Sequence, residues 1–318
     1  MGIRSTLRRY GADGPFADPR EPHGSPVEGW YWRIALPGHD RVVAVMGGVG
    51  QHAGMPWGNV VLALHPEHED RERVVLAGVE ASASKLVVGD ALQATRGRLE
   101  VAVGDVRLQC RLQPMEALRG RLWGALGPGH LIPGLGQHWT PIELAIVTEG
   151  SVVIAGTRID LAGGRVYHER NWGSAFPRRG WWWGAAHAFD DPALAVAFAG
   201  GPLGPRPLPA PTAVVIRTRR GLHRFGLPQH VAAACGPGTW DVEARGIAAR
   251  ARLSGRATDA GLLLSHPAGG RPGEVERLAR QHLAGTLDVL LERRASGRWR
   301  TELAATSALV GLEHGLPG

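Results

Sequence analysis

The chain predicts an all-β protein with little helix, organised as two tandem barrels or sandwiches. Three observations carry that expectation. Short β-prone runs closed by glycine, proline or aspartate follow one another along most of the sequence. Glycine and proline supply 46 and 23 of the 318 residues without the fixed period of collagen, as many turns between short elements would require. An aromatic opening, Gly29-Trp30-Tyr31-Trp32, is echoed near mid-chain by Gly180-Trp181-Trp182-Trp183, as if each half began with an aromatic-rich first strand.

The elements follow in order after a polar, proline-bearing arm at residues 1–26. Residues 42–46 run into Gly47-Gly48, 59–64 stop at His65-Pro66, 73–77 at Gly78 and 85–88 at Gly89-Asp90. Residues 98–103 turn at Gly104-Asp105 and return over 106–112 with polar and apolar side chains alternating, the pattern of a hairpin with one wet face. The same texture continues through 143–147, 151–155, 193–199, 213–218, 241–251 and 261–265. Helical periodicity is read in one place, 274–283, where Val275, Leu278, Ala279 and His282 share a face after Pro272-Gly273.

Composition narrows the function. Hydrophobic residues at 44% and charged residues at 20% exclude disorder and fibres. The net charge of +7 comes almost wholly from scattered arginines, Lys85 being the one lysine. No helix-turn-helix, zinc-finger or RNA-recognition pattern accompanies it, so nucleic acid is not expected as a partner. The charge leaves peripheral contact with an anionic membrane surface open, and oligomeric state is not written in these features. Cys110 and Cys235 stand alone and far apart, which fits a reducing cytoplasm. No apolar stretch of signal-peptide or membrane-span length occurs, and a cytoplasmic location is expected.

Cofactor motifs are not found. His65-Pro66-Glu67-His68-Glu69-Asp70 holds several metal-ligand types but reads as a charged, solvated turn with no second cluster at recognisable spacing, so no metal is expected. Gly134-Leu135-Gly136 lacks the downstream glycine of a dinucleotide fingerprint, and no phosphate loop or serine-nucleophile elbow is present.

The informative residues are aromatic. Eleven tryptophans stand against five phenylalanines and three tyrosines, and four of them lie between Trp172 and Trp183. The segment from Tyr167 through His168, Glu169, Arg170, Asn171 and Trp172 to Trp183 combines a carboxylate, an amide, several indoles and a turn. Strand alternation would send Trp181 and Trp183 to one face and Trp182 to the other, so that one face lines a cavity or an inter-barrel seam.

These blocks resemble the tocopherol cyclase-like family, and more distantly the two-domain lipocalin-like carotenoid hydratases and lipocalin-like Diels-Alderases. Glu28-Gly29-Trp30-Tyr31-Trp32-Arg33 is similar to the family's E-G-W-Y-F-[KR] opening. Residues 167–183 are similar to its Y-x-E-K-N-W-G-x-x-F-P followed by an aromatic run, with Arg170 where lysine is usual. Residues 285–293, Thr306-Ser307 and Gly311-Leu312-Glu313 resemble its last strand and closing segment. Two departures bear on substrate identity: the chain ends without the usual G-G-G-P-W, and Trp139-Thr140-Pro141-Ile142-Glu143-Leu144 stands where the family more often has M-E-C-x-H.

The resemblance implies two tandem lipocalin-like antiparallel β-barrels, at residues 27–172 and 173–318, and a hydrophobic, terpenoid or prenylated ligand held in or beside the amino-terminal barrel near the seam. It implies a cofactor-independent cyclase, an isomerase that protonates an alkene and closes a ring through the carbocation. Such chemistry needs a carboxylic acid kept protonated by burial, aromatic faces to stabilise the cation and a dry, shaped cavity. Glu169, Glu28 and Glu143 are the acid candidates, Glu169 first because Tyr167 and Asn171 share its strand face. A structural ion pair with Arg33 or Arg170 is the competing role for such a glutamate. Trp30, Tyr31, Tyr167, Asn171, Trp172, Trp181, Trp183 and His187 are the candidate substrate-binding residues, with a core role as the alternative for each aromatic. A hydratase, a pericyclic catalyst and a lipid or pigment carrier are the rival functions.

Overall fold

The computed structural model describes residues 18, 20–118, 124–132, 135–174, 176–202, 210–257, 259–267, 272–273 and 275–317. Of the positions discussed above, 1–17 and 19 of the arm, Gly134, Ala175 and Glu274 lie outside that set. Among the described residues the chain is built of antiparallel strands, with two single 3-10 turns (Pro37–His39 and Gly127–Leu131) and no α-helix. No helix is long and apolar enough to cross a membrane.

The first half contributes β1 (Val27–Leu36), β2 (Arg41–His52), β3 (Met55–His65), β4 (Glu69–Val75), β5 (Val79–Ala81), β6 (Lys85–Val88), β7 (Leu92–Thr95), β8 (Arg98–Val103), β9 (Val106–Ala117), β10 (Gln137–Ile154), β11 (Thr157–Asp160) and β12 (Arg165–Gly173). They form one sheet in the order β4-β3-β2-β1-β12-β10-β9-β8-β7-β6-β5, with β11 beside β10. The second half contributes β13 (Trp182–Ala186), β14 (Ala195–Gly200), β15 (Thr212–Thr218), β16 (Gly221–Phe225), β17 (His230–Gly236), β18 (Thr239–Arg245), β19 (Ala249–Arg256), β20 (Leu262–Pro267), β21 (Val275–Ala295) and β22 (Arg298–Gly315). Its order is β16-β15-β14-β13-β22-β21-β19-β18-β17, with β20 beside β21. Each sheet curls into a nearly closed antiparallel barrel, so the two are lipocalin-like barrels in tandem. In both, the first strand pairs with the last, β1 with β12 and β13 with β22.

Three apolar cores explain the fold. One fills the first barrel, one fills the second, and the third lies between them. β1 is buried over its whole length because its two faces serve two cores: Trp30, Trp32, Ile34 and Leu36 point into the first barrel, Tyr31 and Ala35 into the seam. β13 does the same, with Ala186 and Trp182 on the second barrel's interior and Trp183 and Ala185 in the seam. A one-residue change of register would exchange those faces, which is why both strands are held on two sides. By contrast β8 and β9 alternate buried and exposed positions, the hairpin with one wet face, and Gly104 takes φ +56° in its turn.

The structure corrects the sequence expectation in several elements. Residues 275–283 are the start of β21, paired to β20 and β22, and not a helix. Here Ala279 and Gln281 are buried while Leu278 and Arg280 are exposed, a period of two; the helix-like spacing arose by drawing apolar residues from both faces of a strand. Runs 143–147 and 151–155 are one strand, β10, carried through register shifts at Pro141/Glu143 and Val147/Glu149. Run 241–251 divides into β18 and β19. The aromatic echo is out of step by one position: Trp30 and Trp32 face a barrel interior, whereas Trp181 and Trp183 face the seam.

Candidate functional site

A cavity of about 670 Å³ lies at the seam, walled by both barrels. Tyr31, Trp139, Glu169 and Asn171 reach it from the first; Trp181, Trp183, Gln281 and Glu313 reach it from the second. Its walls are mainly apolar, and its polar groups converge on two carboxylates.

Glu169 sits on β12, directly across from Tyr31 on β1 and Pro141 on β10. Tyr167 and Asn171, two positions either side, share its face. All three hydrogen bonds to Glu169 fall on one oxygen. Oε2 accepts from Trp139 Nε1 (2.6 Å), Tyr167 OH (2.5 Å) and Trp183 Nε1 (2.9 Å). Oε1 is the oxygen those donors leave to the cavity. Burial lifts the carboxyl from its ordinary value of 4.5 to about 7; the Tyr167, Trp139 and Trp183 donors restrain that rise, and the charge of Glu313 adds to it. Tyr167 is fully buried and titrates well above its ordinary value, so it remains a donor.

Glu313, near the end of β22, occupies the equivalent place in the second barrel. It stands opposite Trp183 on β13, as Glu169 stands opposite Tyr31 on β1, and opposite Gln281 on β21. Its Oε1 accepts from Trp181 Nε1 (2.6 Å) and its Oε2 from Gln281 Nε2 (2.9 Å). Tyr31 closes the wall between the barrels, its ring edge-on to Trp183 at 5.4 Å. Its buried hydroxyl has no hydrogen-bond partner, and burial raises its pKa.

The other expected residues fall elsewhere. Glu28 is tied to Arg170 in a buried ion pair and accepts from the backbone N–H groups of Gly24 (2.5 Å) and Ser25 (3.1 Å). That is the structural role foreseen as its alternative, and it lies off the cavity. Glu143 pairs with the half-exposed Arg96 at 3.0 Å beside a small separate crevice. Trp30 faces the first barrel's interior under the Arg170 guanidinium, 4.4 Å from the ring centre. Trp172 is fully buried, stacked at 4.0 Å on His23 and at 5.6 Å on His138. His187 is buried behind Tyr167, which it stacks upon at 5.9 Å, and burial lowers its pKa well below 6.5. Among the described residues Arg33 pairs with no carboxylate; it donates across the seam to the carbonyls of Leu283 and Leu309. Asn171 does line the cavity, and Gly29 makes room for it, since a Cβ there would come within 2.6 Å of Asn171 Oδ1.

The sequence thus brought Glu169, Tyr31, Asn171, Trp181 and Trp183 to the cavity and missed Glu313, Gln281 and Trp139. Trp139 and Glu313 both stood in quoted segments, but nothing local assigned them to the same place as Glu169.

Fold and site together define a two-barrel lipocalin-like protein with an apolar cavity at its seam and two buried carboxyls in the cavity wall. The chain belongs to the tocopherol cyclase-like family, whose sequence model matches residues 138–316. Two solved structures share the architecture. A Nitrosomonas europaea protein assigned as AttH superposes with a TM-score of 0.64 at 15% identity, over 93% of this chain and 94% of its own. Kievitone hydratase from Nectria haematococca superposes with a TM-score of 0.56 at 11% identity, over 99% of this chain and 95% of its own. At such identities the likeness is one of fold. No curated protein matches the sequence.

Proposed function

We propose that this protein is a cofactor-independent cyclase of a terpenoid or prenylated aromatic substrate, with Glu169 as the acid that starts the reaction. The observation that carries the reading is the Glu169 carboxyl itself: buried in an apolar cavity, balanced near neutral pH, with three donors on Oε2 and Oε1 left to the ligand. A carboxyl so raised holds a proton close to neutral pH, and the donors make Oε2 the carbonyl-like oxygen, so that the proton belongs on Oε1. The cavity volume falls within the roughly 300–1,000 Å³ of small-molecule pockets.

In the step, the Oε1–H bond breaks as a new C–H bond forms at the less substituted alkene carbon, and the alkene electron pair leaves a tertiary cation. The faces of Trp181, Trp183 and Tyr31 stabilise that charge, and the three donors stabilise the carboxylate left behind. A hydroxyl on the same substrate attacks the cation, forming a C–O bond. Its proton passes back to Glu169, directly or by way of Glu313, which restores the starting acid and makes the net change an isomerisation.

A hydratase is the second reading, favoured by one observation. Glu313 and Gln281 form a hydrogen-bonded polar pair on the opposite wall, suited to holding a water that would capture the same cation. The two readings differ in product mass by one water. The test is turnover of prenylated quinols and linear terpenoids in D2O by the wild type and Glu169→Gln. An isomer carrying one solvent deuterium on carbon, lost in the variant, is expected. Unlabelled isomer formed equally by both proteins would make the reaction pericyclic, and ligand released unchanged would make the protein a carrier.

A further inference from the structure

We propose a second site, unrelated to the cavity chemistry: a zinc-binding clamp across the barrel seam formed by His65, His68 and Asp259. His65 ends β3 and His68 lies in the turn before β4, both in the first barrel, while Asp259 lies between β19 and β20 of the second. One ligand atom from each lies within 4.8 Å of the others. Two imidazoles and a carboxylate are a borderline-soft donor set suited to Zn²⁺, with water completing a tetrahedron.

The surrounding bonds leave these atoms available. Asp259 Oδ1 is held by the backbone N–H of Gly261 (3.0 Å) and by His282 Nδ1 (2.5 Å). Oδ2 is thereby turned towards His68 Nδ1 at 3.6 Å, too long for a hydrogen bond. Ligands bonded to zinc at about 2.0–2.1 Å stand roughly 3.4 Å apart in a tetrahedron, so this pair already has nearly the required spacing. His65 is the independent sign of a missing partner: it is only 9% exposed, yet neither ring nitrogen has a hydrogen bond. The nearest carboxylate oxygen, Asp40 Oδ1, is 3.7 Å from Nε2. Burying an imidazole with both nitrogens unmet is costly, and a metal ion removes that cost.

His282 orients Asp259 from β21, where it neighbours Gln281 of the cavity wall. A metal here would link the first barrel to the strand that carries Gln281, holding the two halves of the cavity wall in register.

The test uses untagged full-length protein stripped with a chelator and titrated with ZnCl2, alongside His68→Ala and Asp259→Asn. His68 is half exposed and Asp259→Asn nearly isosteric, so both variants keep the fold, which far-ultraviolet circular dichroism checks. One Zn²⁺ should bind per chain and raise Tm, and each variant should weaken binding at least tenfold. As a readout free of mutation, Co²⁺ should give an intense visible band of four-coordinate geometry that Zn²⁺ displaces. Equal Zn²⁺ affinity in the wild type and both variants, or no displaceable Co²⁺ band, would overturn the proposal.

Discussion

Trp183 of the second barrel donates its indole N–H to Glu169 Oε2 of the first at 2.9 Å. The bond crosses the seam, so the protonation equilibrium of the carboxyl depends on the two barrels staying docked.

The first concerns stability and pH. A carboxyl whose folded pKa is raised adds stability that is fully present below its unfolded value of 4.5 and is lost as pH rises through about 7. The difference amounts to roughly 3 kcal/mol at about 1.4 kcal/mol per pH unit. Glu169→Gln does not titrate, so it should gain on the wild type by that amount between pH 4 and 8, measured by urea unfolding at successive pH values.

Two substitutions should move the titration in opposite directions. Trp183→Phe removes a donor that favours the carboxylate, so the midpoint of the pH-dependent stability should move to higher pH. Glu313→Gln removes a negative charge that disfavours it, so the midpoint should fall. Unfolding curves across pH for both variants check the signs.

Glu28 should behave as a structural residue. Glu28→Ala leaves the buried Arg170 guanidinium without its carboxylate and should cost about 3–5 kcal/mol in urea unfolding. Any protein that remains folded should keep the Glu169 transition near pH 7, since Glu28 lies off the cavity.

Trp172 and Trp181 separate core from cavity. Trp172→Ala should cost about 3–5 kcal/mol, as expected for a fully buried tryptophan. Trp181→Ala opens onto an existing cavity, so its thermal unfolding should change less while apolar ligand binding weakens.

Much of this was legible because the decisive features are local. Tyr167, Glu169 and Asn171 lie two apart on one strand, so alternation alone puts them on one face, and the tryptophan run marked the seam by the same rule. What was hidden depends on pairing between distant strands. Glu313 faces the same cavity as Glu169 only because first and last strands pair in both barrels. Trp139 reaches Glu169 from a diagonal position beside a bulge, and neither relation leaves a periodic trace. The misread helix came from apolar residues on both faces of a strand, Leu278 exposed and Ala279 buried, whose spacing imitates a helical one. His65 and His68 looked like a solvated turn because Asp259, their neighbour in space, lies in the other half of the chain.

Acid catalysis by Glu169 requires a carboxyl that still holds a proton near neutral pH, and a direct titration tests it. In protein carrying ¹³C at glutamate side-chain carboxyls, the Glu169 resonance is assigned by its disappearance in Glu169→Gln and followed against pH. The account predicts a midpoint near 7, well above that of the exposed glutamates. A Glu169 resonance that stays ionised down to pH 5 would contradict it, because no proton donor would then face the ligand in the cavity.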